Sequence, residues 1–386
     1  MRDIYMDNSA TTPLSKAAKD KISEAVEVFG NPSSLHSAGQ AAQKLVDEAR
    51  ARLLSALGVR QRQGSFVFTS CGTEATSFAL FGCAYAKTRR DATRILTTDS
   101  EHPSVARALD RLSLDGFEIV KIPTKNGVLD KEALKKALDK KIFLATFMLV
   151  NNETGAIYDV AGAFAEIKRA YPNAITHCDA VQGFMKLPFT PTALHADLIT
   201  VSGHKLHAPK GVGGLYISAE MLKAKKIVPF LVGGGQESGM RSGTENVIGI
   251  SAFGAAVNDI MGRRAEISKK ISKLREYAEE KLSKIDVRIN RPSGEYLPSI
   301  INITLPSIKS ETMLHHLSAD GIYVSSGSAC SSHSAHPSES LIAFGLTPKE
   351  ADCSLRISLS EYNEKEDIDA LVASLSVGLE RLVRIR

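Results

Sequence analysis

The stretch DLITVSGHKLHAPKGVGGLYIS, residues 197–218, decides the fold. An apolar run, DLITVS, leads directly into Gly203, His204 and Lys205, and after glycines at 211, 213 and 214 a second β-rich run, GGLYIS, begins. A strand that is apolar almost throughout is buried on both faces, which is the pattern of a sheet covered by helices. Its carboxyl end is where α/β proteins place their ligands. Working outward, the same kind of run recurs at 65–70 (SFVFTS), 94–98 (RILTT), 118–123 (EIVKIP), 142–149 (IFLATFML) and 175–180 (ITHCDA), each separated from the next by helical sequence. Strand–helix alternation of this kind predicts an α/β fold with a mostly parallel, seven-stranded sheet between helices. Upstream, Ile22, Val26 and Phe29 predict one face of a helix from about Ser15 to Gly30, and Leu45, Ala49, Leu53 and Leu57 the inner stripe of a second from Ser37 to Gly58.

Near residue 250 the pattern changes. A helical stretch, 251–285, reads as a connecting element, followed by fewer strands (299–305, 322–326, 354–359) interleaved with helices. The expectation is a large domain over 15–255 and a smaller α+β domain formed by 1–14 and 256–386, a division that suits a chain longer than a single core supports. Of the 386 residues, 43% are apolar and 24% charged, and the formal net charge of +5 requires neither nucleic acid nor an anionic membrane as partner. The longest apolar run, 142–150, is far shorter than the roughly 20 residues a membrane helix needs. The N-terminal MRDIYMDNSATTPLS lacks the apolar core of a signal peptide, so a cytoplasmic location is expected. Five cysteines, an odd and sparse set, do not make a disulfide framework, and at least one thiol needs its own explanation.

Lys205, directly after a buried strand and beside Ser202 and His204, is placed to form a Schiff base; the plainer reading is a surface lysine in a turn. Asp179 closes another apolar strand, in HCDAVQG (177–183), and a carboxylate there wants a cation such as a protonated pyridine nitrogen, or else it caps the next helix. Lysine and carboxylate together are what pyridoxal 5'-phosphate (PLP) requires. In TSCGTEATSFALFG (69–82), Gly72 and Thr73 open a helix whose N-terminus offers N–H groups and a positive dipole end to a phosphate, and Thr244 in GGGQESGMRSGTEN (233–246) is a second phosphate candidate. His102 follows a strand and is either a structural hydrogen-bonding group or a ring that stacks on the cofactor and moves protons. Asn152 in NNETG suits a cofactor oxygen or a substrate carboxylate, and Arg356, flanked by apolar strand residues, needs an anion, which a substrate carboxylate would supply. Seven of the fourteen residues of SSGSACSSHSAHPS (325–338) are serine, which predicts a mobile loop around Cys330. That thiol is an inert surface group, a metal ligand with His333 and His336, or a nucleophile on a tether.

Taken together, YMDNSATTP (5–13), GNPSSLH (30–36), GTE (72–74), EHPSV (101–105), NNETG (151–155), CDAVQ (178–182), SGHK (202–205), RSGTEN (241–246) and GSAC (327–330) resemble the cysteine desulfurases of the NifS/IscS kind, within the fold-type I PLP enzymes of the class-V aminotransferase family. The resemblance implies that Lys205 holds PLP and acts as base at the substrate Cα, that His102 stacks on the ring, that Asp179 pairs with the ring nitrogen and Gln182 with the phenolic oxygen. It implies that Gly72, Thr73, Ser202 and His204 hold the phosphate together with Thr244 from the other subunit of a homodimer, and that Asn152 and Arg356 bind the carboxylate of L-cysteine. Cys330 would take the substrate sulfur as a persulfide, release L-alanine, and pass the sulfur to an acceptor protein for iron–sulfur cluster assembly or thiolation of tRNA or cofactors. No resident metal is implied, and a transient iron–sulfur contact at Cys330, beside the extra His333 and His336, is left open. Two departures stand out: ATSF (75–78) where the family has an Asn nearby, and SSHSAHPSES (331–340) where it has Thr, Leu and Glu. The competing readings are a selenocysteine lyase or other class-V PLP enzyme, and a docking platform without chemistry of its own.

Overall fold

A computed structural model describes residues 3–60, 62–86, 92–326 and 337–384. In chain order the first part contains β1 (Ile4–Tyr5), α1 (Lys16–Ala25), α2 (Ser37–Ala56), β2 (Gly64–Thr69), α3 (Gly72–Ala84), β3 (Arg94–Thr98), α4 (Pro103–Leu114), β4 (Glu118–Ile122), α5 (Lys131–Ala137), β5 (Ile142–Met148), α6 (Val160–Ala170), β6 (Ile175–Asp179), α7 (Pro191–Leu194), β7 (Leu198–Ser202), β8 (Gly213–Ser218) and α8 (Ala219–Lys223). The rest contains α9 (Val247–Leu282), β9 (Arg288–Ile289), β10 (Ile300–Thr304), α10 (Ser310–Ala319), β11 (Ile322–Tyr323), β12 (Ser325–Ser326), α11 (Glu339–Phe344), α12 (Pro348–Asp352), β13 (Ser354–Ser358) and α13 (Lys365–Arg381). All seven strands expected before residue 220 are present, in one sheet of order β2-β8-β7-β6-β5-β3-β4. Its pairs are parallel except those of β8, which runs antiparallel to both β2 and β7.

Alternation along the strands sorts the core. Phe66 and Phe68 of β2 join α1, α2, α6 and the start of α9 on one face, whereas Val67 joins α3 and α4 on the other. Side chains of period two on a pleated strand produce this split without further instruction. Within the sheet His177 of β6 meets Thr146 Oγ1 of β5 at 2.8 Å and Thr200 Oγ1 of β7 at 2.9 Å, and burial holds its imidazole down at about 3, so it stays neutral. A third cluster, around β10 and β13, takes in Met6, Leu274, Ala278, Leu282 and the inner face of α13.

The N-terminal helix departs from its sequence pattern. Capped by Ser15, whose side chain accepts from the Ala18 N–H, α1 stops at Ala25, five residues before Gly30. Val26 and Phe29 are therefore not a buried face: Phe29 is 89% exposed, as is Leu35 at 92%. The inner stripe of α2 is buried as expected. Where α2 crosses α9 the backbones approach closely, and a Cβ on Gly254 would lie 2.7 Å from Ala49 Cα. Gly254→Val is expected to cost about 1–3 kcal/mol, the usual penalty of overpacking, read as a Tm a few degrees lower.

Candidate functional site

Register brings the site together. Met148 pairs with Asp179 and Asp179 with Thr200, so β5, β6 and β7 end side by side. The chain leaves β2 at Thr69, and Cys71 caps α3 by accepting from the Glu74 N–H at 3.4 Å. That leaves the first N–H groups of α3 at Gly72 and Thr73 facing outward with the positive end of the helix dipole. A Cβ at Gly72 would meet Ser202 Cβ and Val181 Cγ2 at 3.2 Å, so the missing side chain lets the helix start and the end of β7 share one wall. In that wall Ser202 Oγ is buried with no hydrogen-bond partner, an arrangement suited to a phosphate oxygen.

Lys205 sits on the turn after β7, with Nζ donating to the carbonyl oxygens of Ser9 at 2.6 Å and Ala10 at 2.7 Å. Gln182 also donates to Ser9 O, at 2.9 Å, and its Oε1 accepts from Lys186 at 3.1 Å. Asp179 is buried, its Oδ1 accepting from the Val181 N–H at 3.0 Å. Burial pushes its carboxyl up to about 6, against the pull of that bond and of the Lys205 cation. A carboxylate in that state gains from a protonated ring nitrogen beside it. His102 caps α4: Nδ1 accepts from the Ser104 N–H at 3.1 Å, which places its proton on Nε2. Burial, reinforced by Lys205, holds it down at about 4, so the ring is neutral at pH 7. His102 and Thr73 line one open cavity of about 430 Å³. His204 meets Thr11 Oγ1 at 3.2 Å and is likewise held at about 4, first by burial and then by Lys205.

Arg356 of β13 is buried, and here the sequence reading needs an addition. Its anion is supplied from within: Nη2 donates to Asp7 Oδ1 at 2.8 Å, and Nη1 to the main-chain oxygen of Asn152 at 3.0 Å. Nε is buried without a partner, which leaves one donor for a bound carboxylate. Asn152 thus touches Arg356 through its backbone. Thr244 is exposed and hydrogen-bonds to none of the other candidates, while its loop is pinned by Arg241 to Glu74 of α3 at 2.8 Å and by Glu237 to Arg50 at 2.7 Å. Cys330, His333 and His336 lie outside the described residues. Of the remaining thiols, Cys83, Cys178 and Cys353 are buried, and half-buried Cys71 caps α3.

Asp7, Ser9, Thr11 and Glu153 were not singled out from the sequence. The YMDNSATTP segment carried a signal in its run of hydroxyl and carboxylate residues, but its contacts lie nearly 200 positions away and β1 is only two residues long. Glu153 is buried, accepts from Ser338 Oγ at 2.6 Å, and has Oε2 unpartnered. Burial pushes it up to about 7, so the folded chain keeps a proton there that the unfolded chain sheds near 4.5. Its contribution is therefore favourable at low pH and is lost as the pH rises from about 4.5 to about 7. Glu153→Gln is expected to remove that loss, so that the variant gains on the parent by an amount of order 3 kcal/mol across this window, measured as the difference between their unfolding curves at pH 5 and pH 8.

A half-buried lysine, a buried carboxylate and a helix N-terminus meet at the carboxyl end of a mostly parallel sheet, on the fold of the fold-type I PLP enzymes. The chain matches the aminotransferase class-V family over residues 4–371. It belongs to that family, and within it to the cysteine desulfurases of the NifS/IscS kind. It is 36% identical over 387 residues to a cysteine desulfurase IscS of Dictyoglomus turgidum, covering 99% of this chain and 95% of that one. Identity is also 36% over 390 residues to a putative cysteine desulfurase IscS 1 of Bacillus subtilis, over 99% and 100% of the two chains. A solved NifS-like protein superposes with a TM-score of 0.91 at 33% identity, covering 99% and 100%.

Proposed function

We propose that the chain removes sulfur from L-cysteine, giving L-alanine and a persulfide on Cys330 that passes to an acceptor protein. The observation that carries this reading is the convergence of Lys205, buried Asp179 and the unpartnered Ser202 hydroxyl beside the α3 N-terminus, which together fit PLP. PLP supplies an electron-accepting ring next to the substrate Cα. Asp179 would hold the proton on the ring nitrogen, Ser202, His204, Gly72 and Thr73 would bind the phosphate, and Gln182 would be the partner of the phenolic oxygen. Arg356 Nε and Asn152 orient the substrate carboxylate, Lys205 takes the Cα proton, and neutral His102 presents Nε2–H for proton transfer. The Cys330 thiolate attacks the substrate sulfur: an S–S bond forms, the C–S bond breaks, and its electron pair stays on the carbon side, which is protonated to alanine.

A second copy of the chain completes the site through Thr244. Its exposure in a loop anchored to α3, and the strongly exposed Phe29, Leu35 and Val232, support an apolar contact between copies. Among the described residues no helix is long and apolar enough to cross a membrane. The test is direct: the PLP-loaded protein with L-cysteine and a reductant is expected to release sulfide and alanine in equal amounts. Turnover of selenocysteine alone would replace this reading with the lyase, and no turnover of either would leave a docking platform.

A further inference from the structure

A cavity of about 190 Å³ lies between the middle of α9, the segment 185–188 and the 297–299 and 359–361 turns. Of the residues assigned above to cofactor or substrate, Lys205 alone lines it. Its walls are apolar, built from one face of α9 (Ile260, Ile267, Ile271) and from Leu187, Leu206 and Leu359. The charge in those walls is unbalanced. Lys186 is satisfied only by the neutral amide oxygen of Gln182, and Arg264 makes no hydrogen bond or ion pair among the described residues. The one carboxylate, Glu361, is already engaged by His207 at 3.3 Å and lies 3.8 Å from Arg263. Burial and the Lys205 and Arg356 cations push Lys186 down to about 7, the mark of a cation short of anions.

We propose that this cavity binds a small apolar carboxylate, its body against Ile260, Ile267 and Ile271 and its charge held by Lys186 and Arg264. Size sets the class: an apolar cavity of roughly 150 Å³ takes benzene, so the space here suits a single ring or a chain of about six carbons with its carboxylate. Arg264 supplies the planar donor fork that matches carboxylate geometry. The proposal does not depend on the desulfurase reading, since binding is read without turnover.

Calorimetric titration of the PLP-loaded protein with benzoate and with hexanoate tests it, with benzyl alcohol as the neutral control. Saturable binding of the two anions is expected, at least ten times tighter than the alcohol. Arg264→Ala should weaken it about tenfold, and Ile267→Trp, which fills the cavity, should abolish it while the melting temperature shows the variant folded. Absence of saturable binding to the parent protein overturns the proposal, as does undiminished binding in Arg264→Ala, the variant that leaves the apolar walls intact.

Discussion

Lys205→Ala is expected to lower desulfuration by about 10⁴-fold, the upper end of what one positioned proton-transfer group supplies, which corresponds to about 5.5 kcal/mol of barrier. The reason is geometric. Nζ is held by two carbonyl oxygens of the Ser9–Ala10 segment, 2.6 and 2.7 Å away, so the amine is fixed at the end of β7. The visible absorption of the protein-bound cofactor should shift as well. Activity within tenfold of the parent would exclude Lys205 as the base.

The second large effect falls on Cys330. Cys330→Ala should retain the cofactor and its colour while sulfide release from L-cysteine drops below detection, since without that thiolate the substrate sulfur has no acceptor. A variant that loses colour along with activity would mean that the residue acts in folding or cofactor retention instead. Together the two substitutions separate proton transfer from sulfur transfer. Lys205→Ala should also form no persulfide on Cys330, which labelling of the protein with a thiol-reactive probe would read.

Much of this architecture was legible in the residues because burial writes itself into strand composition. Ile142–Met148 and Leu198–Ser202 are buried throughout and read as continuous apolar runs, so their type and position followed. The antiparallel direction of β8 did not, since direction depends on connection length, and only ten residues separate Ser202 from Gly213. Phe29 was misplaced because periodicity counts apolar side chains without asking where the backbone stops, and α1 ends four residues earlier. In the site, Lys205 and Asp179 could be named from strand ends alone. Asp7 could not: it reaches Arg356 across 349 positions, a contact that no local pattern encodes.

The 36-residue helix α9 gives up its first half to the core under the seven-stranded sheet, through Val247, Phe253 and Val257, and its last turns to the core around β10 and β13, through Leu274 and Leu282. Neither core can melt without stripping a partner from the other, because the hydrogen-bonded spine between them is continuous. Unfolding of the two regions is thereby tied into one cooperative event. The protein then opens as a whole or not at all, and a local loosening of either core is felt in the other.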